Sequence, residues 1–83
     1  MGQLSKLPNI GDEIEDKLNT VGIFVPEELY TLGSKEAFVR IRQKDPLACV
    51  RMLCALEGAI QRVRWHFLPD ATKNDLKRFF SAL

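Results

Sequence analysis

Three prolines and two glycines cut this 83-residue chain into short helical stretches, and that punctuation constrains its fold more than any other feature. Pro26, Pro46 and Pro69 each stand where a run of helically spaced apolar residues begins, a position at which proline's missing N–H costs nothing. Gly22 and Gly33 stand where such runs stop, because glycine tolerates the left-handed backbone that closes a helix. No segment shows the sustained period-two alternation, rich in Val, Ile and Thr, that marks a strand. The expected fold is all-α, a bundle of about five short helices around one buried central helix.

The first helix is expected from about Gly11 to Val21, with Ile10, Ile14, Leu18 and Val21 on one stripe. Asp12, Glu13, Glu15 and Asp16 suit the positive end of its dipole. Pro26 opens a second helix, with Glu27 and Glu28 at its start and Leu29 and Leu32 inward, and Gly33 ends it. Ser34 is the expected cap of a third, about Lys35 to Gln43, with Phe38 and Ile41 as its apolar positions. Asp45-Pro46 signals a fourth helix, about Pro46 to Val63. Its residues Leu47, Val50, Met52, Leu53, Leu56, Ala59, Ile60 and Val63 cover most of its circumference, the mark of a buried helix. Gly58 costs about 1 kcal/mol against alanine there, which points to close approach by another helix. Pro69-Asp70 opens a last helix to about Ala82, with Leu76, Phe79, Phe80 and Leu83 on its inner face.

A chain of this length makes one domain, residues 1–83. The 46% apolar and 28% charged content is that of a globular protein. No apolar run approaches the ~18–20 residues that span a bilayer, and the N-terminus has no signal pattern, so a cytoplasmic location without membrane contact is expected. Cys49 and Cys54 fall on different faces of the expected fourth helix and cannot pair there. They are expected as reduced, partly buried thiols.

Net charge is only +1, but it is unevenly spread. Residues 1–33 hold two basic and six acidic residues, a sum of −4, whereas residues 34–83 hold ten basic and five acidic, a sum of +5. A surface that attracts anions therefore belongs to the second part.

Three places carry candidate sites. The turn Leu7-Pro8-Asn9-Ile10-Gly11 resembles the hairpin of a helix-hairpin-helix element, which presents free N–H groups at a helix start to a phosphate. Asn9 and Gly11 are its candidate phosphate contacts. Asp12 and Glu13 at its mouth, and the short run before Leu7, favour the alternative of an element that packs helices. Arg40, Arg42, Lys44, Arg62 and Arg64 form a second candidate contact for DNA, although cations near helix C-termini are also explained by the dipole. Trp65 and His66 are a candidate interaction surface, with a core-plugging Trp as the alternative. One histidine and two cysteines match no common zinc spacing, and no nucleophile or phosphate-loop motif is present. No metal, cofactor or catalytic activity is expected. The acidic pairs Asp12/Glu13, Glu15/Asp16 and Glu27/Glu28 are expected to face solvent.

The run LPNIGDEIEDKLNTVGI, followed by PEEL, LGSKEAFVRIR, DPLACVRMLCALEGAIQRVRWHFLP and an amphipathic end, resembles the C-terminal domain of the TfoX/Sxy family. The most specific parts are LPNIG, the LG-x-x-EAF segment, ALEGAI and R-W-H-x-LP, and the resemblance runs from about Leu7 to Leu83. It implies a small all-helical fold, a place among bacterial regulators of natural competence and DNA uptake, and no catalytic role. Family members often carry an N-terminal domain as well, so this chain is expected as a stand-alone copy. The leading expectation is a regulatory module that meets a protein partner, with homodimerisation compatible. Weak, sequence-nonspecific binding of nucleic acid is the competing one.

Overall fold

The computed structural model describes residues 2–83 and contains, among them, five α-helices, two 3₁₀ turns and no strand. A 3₁₀ turn at Leu4–Lys6 leads to α1 (Asp12–Thr20), α2 (Pro26–Leu32), α3 (Ser34–Lys44) and α4 (Val50–Gln61). A second 3₁₀ turn at Trp65–Phe67 then leads to α5 (Asp70–Ser81). The all-α bundle expected from the apolar spacing is the fold observed.

The glycine stops work as their chemistry dictates. Gly22 takes φ 86°, which lets its N–H reach Asn19 O at 3.1 Å while Ile23 N–H reaches Leu18 O at 3.0 Å. This crossed pair satisfies the last carbonyls of α1, and the fully buried Leu18 and Ile23 seal the end. Gly33, with φ 84°, ends α2 and starts α3 at once: its N–H bonds Leu29 O at 2.8 Å and its carbonyl accepts Ala37 N–H at 3.1 Å. Ser34 therefore lies inside α3 and does not cap it. Its hydroxyl instead donates to Glu57 Oε1 on α4 at 2.6 Å.

The fourth helix starts later than the Asp45-Pro46 signal suggests. Asp45 and Pro46 build a β-turn, with Asp45 O accepting Ala48 N–H at 3.0 Å and Asp45 Oδ1 accepting Leu47 N–H at 3.1 Å. Aspartate first and proline second is also the preferred composition of such a turn, so the same dipeptide serves either element. The Lys17 ammonium, 2.7 Å from Asp45 Oδ2, fixes the turn against α1. Leu47 is consequently thrown outward, 90% exposed, and Cys49 becomes the exposed N-cap of α4.

α4 is the centre. Leu53, Cys54, Ala55, Leu56, Gly58 and Ala59 are all buried along it, with α3 and α5 packed against it and α1 leaning on α3. Phe38 of α3 is fully buried and meets Phe80 of α5 in a tilted pair, 5.9 Å between ring centroids. On α5 only Leu76 of the expected inner face is fully buried, and Leu83 is exposed beyond the helix end.

Two of the acidic residues expected in solvent have structural work. Glu15 is buried, and its carboxylate accepts the N–H of Gly2 at 3.2 Å and of Ser5 at 3.3 Å, binding the N-terminal 3₁₀ turn to α1. Glu28 reaches back to the N–H of Phe24 at 2.7 Å and of Val25 at 3.2 Å, one half of a capping box on α2.

Candidate interaction groove beside the hairpin

Asn9 is the joint of the molecule. Its backbone sits in the left-handed region, φ 71°, a conformation asparagine accepts more readily than most residues. That turn aims its side chain at the chain leaving α4. Nδ2 donates to Val63 O at 2.9 Å, and Oδ1 accepts the Trp65 N–H at 3.1 Å. Gly58 makes room for the joint. A Cβ there would lie 2.5 Å from Asn9 Nδ2 and 2.8 Å from Val63 O. The close approach that Gly58 permits is thus made by a side chain and a turn, in place of the expected neighbouring helix.

The side-chain amide of Asn9, a candidate phosphate contact, is engaged within the protein, as the helix-packing alternative has it. Gly11 differs. It is exposed at the N-cap of α1 with φ −96°, and a Cβ would meet nothing within 4 Å. Neither backbone nor packing requires glycine there, and the start of α1 lies open beside the exposed Asp12 and Glu13.

The five candidate cations do not make one face. Arg40 pairs with Glu36 one turn earlier on α3, at 3.2 Å. The Arg42 guanidinium lies 4.8 Å from the Phe80 ring centroid, and its Nη1 is buried without a hydrogen-bond partner. Lys44 donates to Thr20 O at the end of α1, at 2.8 Å. Arg62 closes α4 in the left-handed region, φ 62°, with its guanidinium 5.9 Å from the Tyr30 ring centroid. Of these five, only Arg64 is exposed and makes no ion pair, ring contact or hydrogen bond to a carbonyl.

Arg64 opens onto a groove of about 420 Å³ between α1, α4 and the Trp65 turn. Ile14, Met52, Ala55 and Trp65 supply its apolar lining, while Arg51, Arg64, Glu13 and Asn9 supply the polar lining. Trp65 is half-buried against the core and stacks on the exposed His66, with ring centroids 4.1 Å apart at 27°. So the structure brings Asn9, Arg64 and Trp65 together and leaves Arg40, Arg42, Lys44 and Arg62 elsewhere. Arg51 joins them, a residue that composition and charge did not single out. Its spacing held the signal: Arg51, Ala55 and Gly58 share one face of α4, and Gly58 is where the hairpin touches.

No group of three or more His, Cys, Asp or Glu among the described residues is placed to hold a metal ion. No described helix is long and apolar enough to cross a membrane. The Cys54 thiol, buried on α4, has its pKa pushed up by burial, with Lys77 and Lys73 opposing the shift.

The sequence profile of the TfoX C-terminal domain matches residues 1–80. The chain belongs to the TfoX C-terminal domain family. Protein Sxy of Escherichia coli (strain K12) is 35% identical to it over 81 residues, which is 98% of this chain and 39% of that protein. The domain thus spans about two fifths of the length of that curated relative. Two crystal structures from Listeria monocytogenes, one described as of an uncharacterized protein and one as of a protein of unknown function, share the fold. The triclinic form gives a TM-score of 0.94 at 51% identity over 95% of this chain and 90% of that one. The tetragonal form gives 0.92 at 50% identity over 94% and 96%. The resemblance carried by LPNIG, LG-x-x-EAF, ALEGAI and R-W-H-x-LP is confirmed as kinship.

Proposed function

We propose that this TfoX C-terminal domain is a non-enzymatic regulatory module that acts mainly by contact with another protein, in keeping with its kinship to Sxy. The observation that carries the reading is the fate of the cations. Lys17, Lys35 and Arg40 are in ion pairs, Arg42 and Arg62 cover aromatic rings, and Lys44 and Lys73 hold backbone carbonyls. A surface that tracks a phosphate backbone needs a row of free cations; these seven of the twelve are committed to the fold, which leaves Lys6, Arg51, Arg64, Lys77 and Arg78, split between the N-terminal turn, the groove beside the hairpin and α5. Large apolar side chains are exposed instead: Leu47 at 90%, Phe67 at 77% and Phe24 at 57%. The test is capture from bacterial cytoplasm, after nuclease treatment, with the purified domain. A retained protein partner is expected. No retained protein, together with tight binding of duplex DNA, overturns the reading.

A second reading, weak sequence-nonspecific DNA binding, is favoured by one observation. Gly11 leaves the start of α1 uncovered although the fold does not need glycine there. Free N–H groups at a helix start attract phosphate, and Asp12 and Glu13 oppose it. Titration of duplex and single-stranded DNA at falling salt separates the cases: DNA binding by this route strengthens steeply, and a flat response down to low salt removes it.

A further inference from the structure

We propose that the groove between α1, α4 and the Trp65 turn seats an acidic, extended segment of a partner protein that carries one apolar anchor side chain; this rests on the protein-contact reading above. The groove combines three properties. Its apolar lining of Ile14, Met52, Ala55 and Trp65 offers a place for an aliphatic or aromatic side chain, with the thioether of Met52 able to adapt to its shape. Its two arginines, Arg51 and Arg64, are exposed and outside every ion pair among the described residues. Guanidinium groups bind carboxylates in a two-pronged geometry that lysine cannot copy. Finally, the walls are already fixed. Asn9 ties the hairpin to Val63 and Trp65 on the far side, so little conformational freedom is lost on binding.

Charge complementarity selects the occupant. Arg51 and Arg64 against the single Glu13 leave the lining with an excess of one positive charge, which suits carboxylates spaced along a short peptide. A nucleic acid is served less well. Two free cations neutralise few phosphates, Glu13 and the neighbouring Asp12 repel the rest, and His66 already covers one face of Trp65 at 4.1 Å. A second copy of this chain is also a poor fit. Every acidic residue of the chain except Asp45 lies within a helix, and Asp45 is paired with Lys17, so a second copy offers no extended acidic segment to the groove.

Random twelve-residue peptides displayed on phage are panned against the intact chain, and enriched sequences are synthesised with a fluorescein label. Enrichment of Asp/Glu-rich peptides with an aromatic or aliphatic anchor is expected, together with a change in Trp65 fluorescence on binding. The double variant Arg51→Glu/Arg64→Glu is expected to bind them at least about tenfold more weakly, a loss of about 1.4 kcal/mol. Its urea midpoint should match that of the parent, because both side chains are exposed. Lys77→Glu/Arg78→Glu on α5 makes the same charge change away from the groove and is expected to leave binding within about twofold.

Enrichment of basic peptides, failure to enrich any, or equal binding by both double variants overturns the proposal. Tighter binding of a fifteen-nucleotide oligothymidine, lost in Arg51→Glu/Arg64→Glu, reassigns the groove to nucleic acid. A dimer in sedimentation that the same variant abolishes reassigns it to a second copy. Cytoplasmic capture separates the two layers of the argument. If the groove variant retains the same protein as the parent, the groove assignment falls and the protein-contact reading stands. If neither retains a protein and duplex DNA binds tightly, the reading itself falls.

Discussion

Gly58 and Asn9 lie far apart in sequence, yet each is required by the other. Replacing Gly58 with alanine should raise helix propensity by about 1 kcal/mol. The new Cβ, however, would press on the backbone carbonyl of Val63 at 2.8 Å as well as on Asn9. Backbone yields poorly, so Gly58→Ala is expected to lose about 1–3 kcal/mol net in urea unfolding; a gain in stability would show that the joint is looser than described. Asn9 can be dissected with two substitutions. Asn9→Gly keeps the left-handed backbone and strands the Trp65 N–H and Val63 carbonyl, a loss of about 1–3 kcal/mol. Asn9→Ala should lose about 1 kcal/mol more, the cost of φ 71° for a residue with a Cβ. Equal effects would mean that the backbone conformation carries no cost. Arg62 is the reverse case, a non-glycine at a helix stop with φ 62°. Arg62→Gly should stabilise by a few tenths of a kcal/mol, about 1 from the backbone less about 0.5 from the contact with Tyr30.

The helices themselves were largely legible, and the exceptions share a cause. The limits of α1, α2 and α5 follow from apolar spacing, proline and glycine to within a residue or so, because these signals act within one turn of chain. The start of α4 was misplaced because Asp-Pro suits a β-turn as well as a helix start, and only the Lys17 contact from α1 shows which is meant. Glu15 was misplaced for a related reason: its partners, Gly2 and Ser5, come from the N-terminal turn folding back. The Lys17–Asp45 pair also carries a pH signature. Its hydrogen bond to Lys17 lowers the Asp45 pKa from the ordinary 3.8, so its stabilisation is present above that value and fades as pH falls through the lowered one. The same bond raises the Lys17 pKa above 10.5, so on the alkaline side the stabilisation is full below that value and fades as pH rises through the raised one. Asp45→Asn keeps an acceptor for Leu47 N–H and removes the charge. Its melting temperature should fall below the parent's by a constant amount near neutral pH, and the gap should close at both extremes. A gap that stays open in acid would assign the loss to the turn and not to the ion pair.

Across the whole molecule, the groove was the least legible feature, because it is made by tertiary joining. Trp65, Arg64 and Asn9 each stood out in the sequence, but as members of three unrelated candidate sites. Only the Asn9 bonds to Val63 and Trp65 place them on one surface. Nothing local distinguishes Arg51 from other charged helix residues; the face it shares with Gly58 acquires meaning only from the hairpin that sits there. The two thiols test whether this joined structure opens as one unit. The radius of gyration, 11.5 Å, is close to the ~12 Å of a well-packed chain of this length, and small domains of this kind usually unfold in a single step. Cys49 is exposed, whereas Cys54 lies buried in α4 with its thiol pKa raised by burial. A thiol-reactive chromophore should therefore label Cys49 at once. Cys54 should react at least about a thousandfold more slowly, since stability for this length starts near about 4 kcal/mol. If opening is concerted, Gly58→Ala and Asn9→Ala should each speed the slow phase by the factor that their loss of global stability dictates; Asn9 is the decisive one, since it lies on the hairpin, whereas Gly58 is buried one turn from Cys54 on α4. A slow phase that ignores both substitutions would mean that α4 exposes Cys54 by a local motion and that the hairpin joint does not govern the bundle.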